Sequence, residues 1–109
     1  MKSGTHNIEI ENGSTYELSF EIENSDSTPY LLAGYSANMQ VRNSNNRLIL
    51  DCANYVSISG DNGIILSIPA SATKDINDSS GLYQIEISNG GSEYSILRGS
   101  VKFIQAVIK

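Results

Sequence analysis

Apolar and polar residues alternate along this chain with a period of two, the spacing that sends successive side chains to opposite faces of a β-strand. In HNIEIEN, Ile8 and Ile10 share one face and Glu9 and Glu11 the other. In TYELSFEIE the inward set is Tyr16, Leu18, Phe20 and Ile22, set against Glu17, Ser19, Glu21 and Glu23. SANMQVR opposes Ala37, Met39 and Val41 to Asn38, Gln40 and Arg42. RLILDC and YVSIS are shorter strands joined around Ala53–Asn54, and GIILSI and GLYQIEIS follow, the second with Tyr83, Ile85 and Ile87 inward. The last run, EYSILRGSVKFIQAVIK, is long and broken at Arg98–Gly99, where the glycine predicts a bulge or bend.

Turn chemistry separates these runs. ENGS, DNGI and SNGGSE offer Asn or Gly where φ must be positive, which predicts tight hairpins; NSNN at 43–46 predicts another. Between GIILSI and GLYQIEIS lies PASATKDINDSS. Pro69 cannot donate to a strand ladder, and Ala70–Ile76 predict one short helical turn crossing from one sheet to another, with Gly81 opening the next strand. The pattern predicts an all-β fold: a single domain over residues 1–109, built as an antiparallel β-sandwich of about seven to eight strands. A split into two domains would leave halves too small to bury a core.

Composition narrows the function classes. The net charge is −5 and the seven Lys and Arg residues form no run, which argues against a nucleic-acid partner. The N-terminal MKSGTHNIEIENG has no apolar stretch resembling an export signal, and no run has the length of a membrane span. Cys52 stands alone, so it reads as a small core residue. Asp75, Asn77, Ser79 and Glu86 fall at the first, third, fifth and twelfth places of a calcium-loop count. Position six is Ser80 where glycine is required, and Glu86 alternates within a strand, so a solvated turn is expected and no metal. His6 is the only histidine and has no serine motif beside it; with no nucleophile, base and orienting group in view, the expectation is a protein without enzyme activity or cofactor. Glu9, Glu11, Glu17, Glu21, Glu23 and Asp26 would share a solvated acidic face if the first two long strands pair.

Two surfaces remain as candidates. Tyr16 and Tyr83 fit inward positions, leaving Tyr30, Tyr35, Tyr55 and Tyr94 for the surface; Tyr30, Tyr35 and Tyr55 on exposed loops would serve a carbohydrate-binding or adhesion module. At the C-terminus, VKFIQAVIK leaves little polar surface on either face, and a strand apolar on both faces is covered on both or meets another chain. Phe103, Ile104, Val107 and Ile108 are therefore the expected interface residues.

The order of motifs adds a resemblance. LLAGYSANMQVRNSNNRLIL, NGIILSIPASAT, GLYQIEIS and ILRGSVKFIQAV, in that sequence, resemble a group of small tailed-phage virion proteins similar to the N-terminal domain of phage baseplate upper proteins. The resemblance covers roughly residues 14 to 108 and rests on Gly34 and Tyr35, Pro69 and Ala70, Gly81 and Tyr83, and Arg98 and Gly99. INDSSG and Leu82 depart from the family pattern. The resemblance implies an immunoglobulin-like β-sandwich in a non-enzymatic virion part, made in the bacterial host cytoplasm. It would dock on other phage virion proteins, as capsid decoration or as a tail or baseplate adaptor; self-association is a further expected mode.

Overall fold

The computed structural model describes residues 4–105. The alternating runs form β2 (Ile8–Glu11), β3 (Tyr16–Glu21), β4 (Ser36–Arg42), β5 (Leu48–Asp51), β6 (Val56–Ser59), β7 (Gly63–Ile68), β8 (Ser80–Asn89) and β9 (Ser92–Ile104). A short β1 (Gly4–Thr5) precedes them, and a single helical turn, α1 (Ala70–Thr73), separates β7 from β8. Strands dominate because each buries its alternate residues: Ile8 and Ile10, Met39 and Val41, Ile64, Leu66 and Ile68, and Tyr83, Ile85 and Ile87 all lie in one common core. Full burial of an aliphatic side chain contributes about 1.5–3 kcal/mol, so this core outweighs any local preference.

The core is enclosed by two sheets. The larger has the order β1-β9-β8-β4-β5, with β2 also pairing β9; the smaller runs β3-β7-β6. β4, β5, β8 and β9 pair antiparallel with one another, as do all three strands of the smaller sheet. The wholly antiparallel expectation is corrected at the N-terminus, where β1 and β2 run parallel to β9. The larger sheet is therefore mixed.

Three of the four predicted turns are hairpins: 43–47 between β4 and β5, 60–62 between β6 and β7, and Gly90–Gly91 between β8 and β9. ENGS is not. Gly13 has the positive φ expected (82°), but the turn carries the chain from the larger sheet to the smaller. Its amides are claimed from elsewhere: Asn12 N–H donates to the Ile104 carbonyl at 2.9 Å and Gly13 N–H to Thr73 Oγ1 at 3.0 Å. Since β2 and β3 lie in different sheets, the shared acidic face fails too. Glu9 and Glu11 project from the larger sheet and Glu17 and Glu21 from the smaller.

The bulge expected at Gly99 is displaced. The β8–β9 register shifts between Ile85 and Glu86, which pair Leu97 and Ser95 and leave Ile96 as the extra, buried residue. Gly99 stays in register opposite Tyr83, and its role is close approach: a Cβ there would fall on the His6 carbonyl, where the chain passes from β1 to β2. The Tyr83 hydroxyl donates to that same carbonyl. The crossing around Pro69 forms as expected. Pro69 ends β7 in an extended conformation, α1 follows, and buried Thr73 ties it to the β2–β3 turn. Among the described residues no helix is long and apolar enough to cross a membrane.

Candidate functional site

Strand direction sorts the surface into two ends. β8 and β9 meet at Gly90–Gly91, next to the loop 22–35 and the 60–62 hairpin, and this is the loop pole. The opposite, tail pole holds the 43–47 hairpin, the β2–β3 turn, α1 and the end of β9. The molecule extends 44 Å along its longest axis. The thirteen residues of β9, at about 3.4 Å each, reach nearly that far.

At the tail pole the expected interface residues separate. Phe103 points inward and is 3% exposed, part of the protein's own core, so it is not an exposed contact residue. Ile104, on the opposite face, is 38% exposed and pairs with Glu11 of β2. It borders a cleft of about 250 Å³ lined also by Glu9, Glu11, Ser14, Thr15 and Tyr16. Val107 and Ile108 lie outside the described residues. From Ser100 to Ile104, β9 alternates in and out like a strand covered on one side, and Ile104 is the apolar residue of that stretch that faces outward.

At the loop pole the structure joins two of the three expected tyrosines. The Tyr30 and Tyr35 rings lie 6.1 Å apart, tilted by 55°, and their hydroxyls share a 3.1 Å hydrogen bond. That bond, with burial and the proximity of Tyr35 and Tyr94, pushes the Tyr30 hydroxyl up to about 12. Tyr55 is elsewhere: its carbonyl accepts from Ser67 N–H, level with the start of β3, whereas Tyr30 N–H bonds Ile22 past the end of β3. Five residues of strand, on the order of 17 Å, separate the two levels. Tyr94, 41% exposed on β9, is near enough to Tyr30 to help raise its hydroxyl. The signal for Tyr94 was the Gly-Gly turn, which brings residue 94 back beside the loop that follows β3.

This loop is held firmly. Leu32 is buried, and its N–H donates to the Asp61 carbonyl at 2.8 Å. Asn62, also buried, exchanges bonds with Ile22: its Nδ2 donates to the Ile22 carbonyl at 2.8 Å, and Ile22 N–H donates back at 2.9 Å. Thr28 donates through its hydroxyl and its amide to Asp26, holding that carboxyl below its usual range. Leu31, between anchored neighbours, is 63% exposed.

The remaining candidates do not converge. Asp75, Asn77 and Ser79 precede β8 at the tail pole, while Glu86 lies opposite Asn38, six residues beyond Ser80 or on the order of 20 Å along the strand. The His6 side chain is exposed, and only its main chain is engaged. Cys52 is fully buried, and burial with the nearby Asp51 charge pushes its thiol up to about 12, where it is no nucleophile at neutral pH. The outer face of the larger sheet bears a shallow polar cleft of about 290 Å³ lined by Asn38, Gln40, Arg42, Leu82, Gln84 and Glu86 among others. Arg42 is fixed there by bonds to Gln40 Oε1 and the Asn46 carbonyl, both 2.9 Å. Compared with known proteins, no family model matches this chain and no curated relative aligns with it significantly.

Proposed function

We propose that this chain is a non-enzymatic structural part of a phage virion, an immunoglobulin-like β-sandwich that attaches to a repeating assembly of other virion proteins through its tail pole. The strand order supports the fold reading. An N-terminal segment parallel to the last strand, a layer continuing β9-β8-β4-β5 and a facing layer β3-β7-β6 match the layering of variable-type immunoglobulin domains. The motif resemblance across roughly residues 14 to 108 supports the virion reading.

One observation carries the attachment: Ile104 faces outward at the last turn of the ladder, and the chain beyond it continues apolar as Ala106, Val107 and Ile108. An outward isoleucine leading an apolar run contributes most when a neighbour covers it. Copies repeated around a symmetric particle multiply contacts that are weak one at a time. The test supplies tagged protein during particle assembly and measures its share of purified particles by quantitative mass spectrometry. Wild type incorporates; Ile104→Asp and Ile108→Asp reduce incorporation about tenfold or more, the loss of one buried isoleucine converted to an occupancy. Equal incorporation of wild type and both variants, or absence of the wild type from particles, removes the proposal.

A further inference from the structure

Among the described residues, the loop pole gathers aromatic side chains and negative charge and holds no Lys or Arg. Tyr30 and Tyr35 pack together there, Tyr94 is exposed near Tyr30, and Leu31 is exposed on the same loop. Glu23, Asp26, Asp61 and Glu93 are exposed on the same loops and hairpins. Of seven Lys and Arg residues, Lys2 and Lys109 lie outside the described residues, and none of the other five is at this pole. Arg42 ends β4 at the tail pole, followed by Arg47, and Lys74 caps α1; Arg98 and Lys102 sit opposite Gln84 and Ser80, toward the tail half of β9.

We propose that the loop pole is a binding site for a lysine- or arginine-bearing segment of a partner protein, whose cationic side chain lies against Tyr30 and Tyr94 and is neutralised by the surrounding carboxylates. Tyrosine presents a large, amphipathic contact with few rotatable bonds, so ordering it on binding costs little; protein-binding loops are rich in Tyr, Ser, Gly and Asn for this reason. The loop following β3, NSDSTPYLLAGY, and the hairpin NGGSEY have that composition. Tyr ring faces attract a cation, more strongly as water is excluded. Leu31 supplies the apolar rim against which the aliphatic stem of Lys or Arg packs.

Charge decides the partner's chemistry. Four exposed carboxylates at this pole repel an anionic polymer, and a neutral sugar covering them would strip their water without a countercharge. A cationic segment offsets that cost and is steered to the pole before contact. The site is pre-shaped, since Leu32, Asn62 and Ile22 pin the loop to the 60–62 hairpin. It is separate from the tail-pole attachment and stands whether or not that attachment exists.

The test is calorimetric titration of the full chain with a Lys-Gly-Ser repeat peptide, the same peptide with Gln for Lys, and a neutral linear oligosaccharide. The Lys peptide binds and the Gln peptide does not. Tyr30→Ala and Tyr94→Ala each weaken binding about fivefold or more, the scale of a partly desolvated cation–π contact. Asp61→Asn with Glu93→Gln weakens it similarly and flattens its salt dependence, whereas Glu9→Gln with Glu11→Gln at the tail pole leaves it unchanged. Tyr94→Ala, at an exposed strand position, serves alone if circular dichroism shows Tyr30→Ala unfolded. The proposal is overturned by no binding of the Lys peptide, by binding indifferent to the tyrosine variants, by an equal loss from the tail-pole variants, or by tyrosine-dependent binding of the sugar.

Discussion

Gly99 is the residue on which the N-terminal pairing turns. The chain must pass from β1 to β2 over β9, and the His6 carbonyl occupies the space a side chain at 99 would need. The obstacle is backbone rather than a flexible side-chain tip, so it can move only if the segment moves. The same carbonyl accepts from the Tyr83 hydroxyl and His6 N–H donates to Arg98 at 2.9 Å, so moving it breaks bonds on both sides. Gly99→Ala is therefore expected to destabilise the fold by about 1–3 kcal/mol, the usual scale of overpacking. Hydrogen exchange would show the loss first in residues 4–11, ahead of the β8–β9 core. An alanine variant with wild-type urea midpoint and unchanged protection of those residues would contradict this account.

At the level of elements, the alternation along β2, β3, β4, β7 and β8 could be read from the sequence, because a period of two is a local property that burial on one face imposes. Pairing is not local. ENGS and DNGI both contain Asn-Gly, yet one joins two sheets and the other two neighbours in a sheet. What separates them is the distant Ile104 carbonyl and Thr73 hydroxyl that take the amides of the first. The parallel course of β2 and the burial of Phe103 stayed hidden for the same reason, since both depend on where β9 lies. The tyrosine cluster was half legible: three tyrosines could be placed on loops, but which of them meet follows from strand order. The β8–β9 hairpin is where local chemistry does decide, because Gly90 and Gly91 both hold positive φ, 59° and 96°. Nothing crowds their missing Cβ atoms, so substitution there tests backbone conformation alone. Gly91→Val should cost about 1–2 kcal/mol in urea unfolding, while Gly90→Asn, which tolerates the left-handed region, should cost a few tenths at most, roughly the glycine-to-asparagine difference in such turns. Equal effects of the two substitutions would mean that the turn is not held in this geometry.

The whole molecule couples its core to pH through two groups buried between the sheets. Burial, with a smaller contribution from Tyr16, pushes the Tyr83 hydroxyl from 10.0 up to about 12, and burial with Asp51 pushes the Cys52 thiol from 9.0 up to about 12. Both groups hold their protons in the folded chain at a pH where the unfolded chain has released them. The folded state binds more protons there, so raising the pH favours unfolding. Their contribution to stability is complete below about pH 9, declines from there, and is lost by about pH 12. The net charge of −5 acts in the same direction, since each further ionisation adds to self-repulsion. The urea midpoint should therefore stay level from pH 7 to pH 8 and fall steadily above about 9, as proton linkage of raised acids requires. Tyr83→Phe combined with Cys52→Ala should start from a lower midpoint, having lost a hydrogen bond and packing volume, yet show a shallower alkaline decline. If the wild-type midpoint holds level through pH 11, or the double variant declines as steeply as the wild type, the two sheets do not enclose these groups as described.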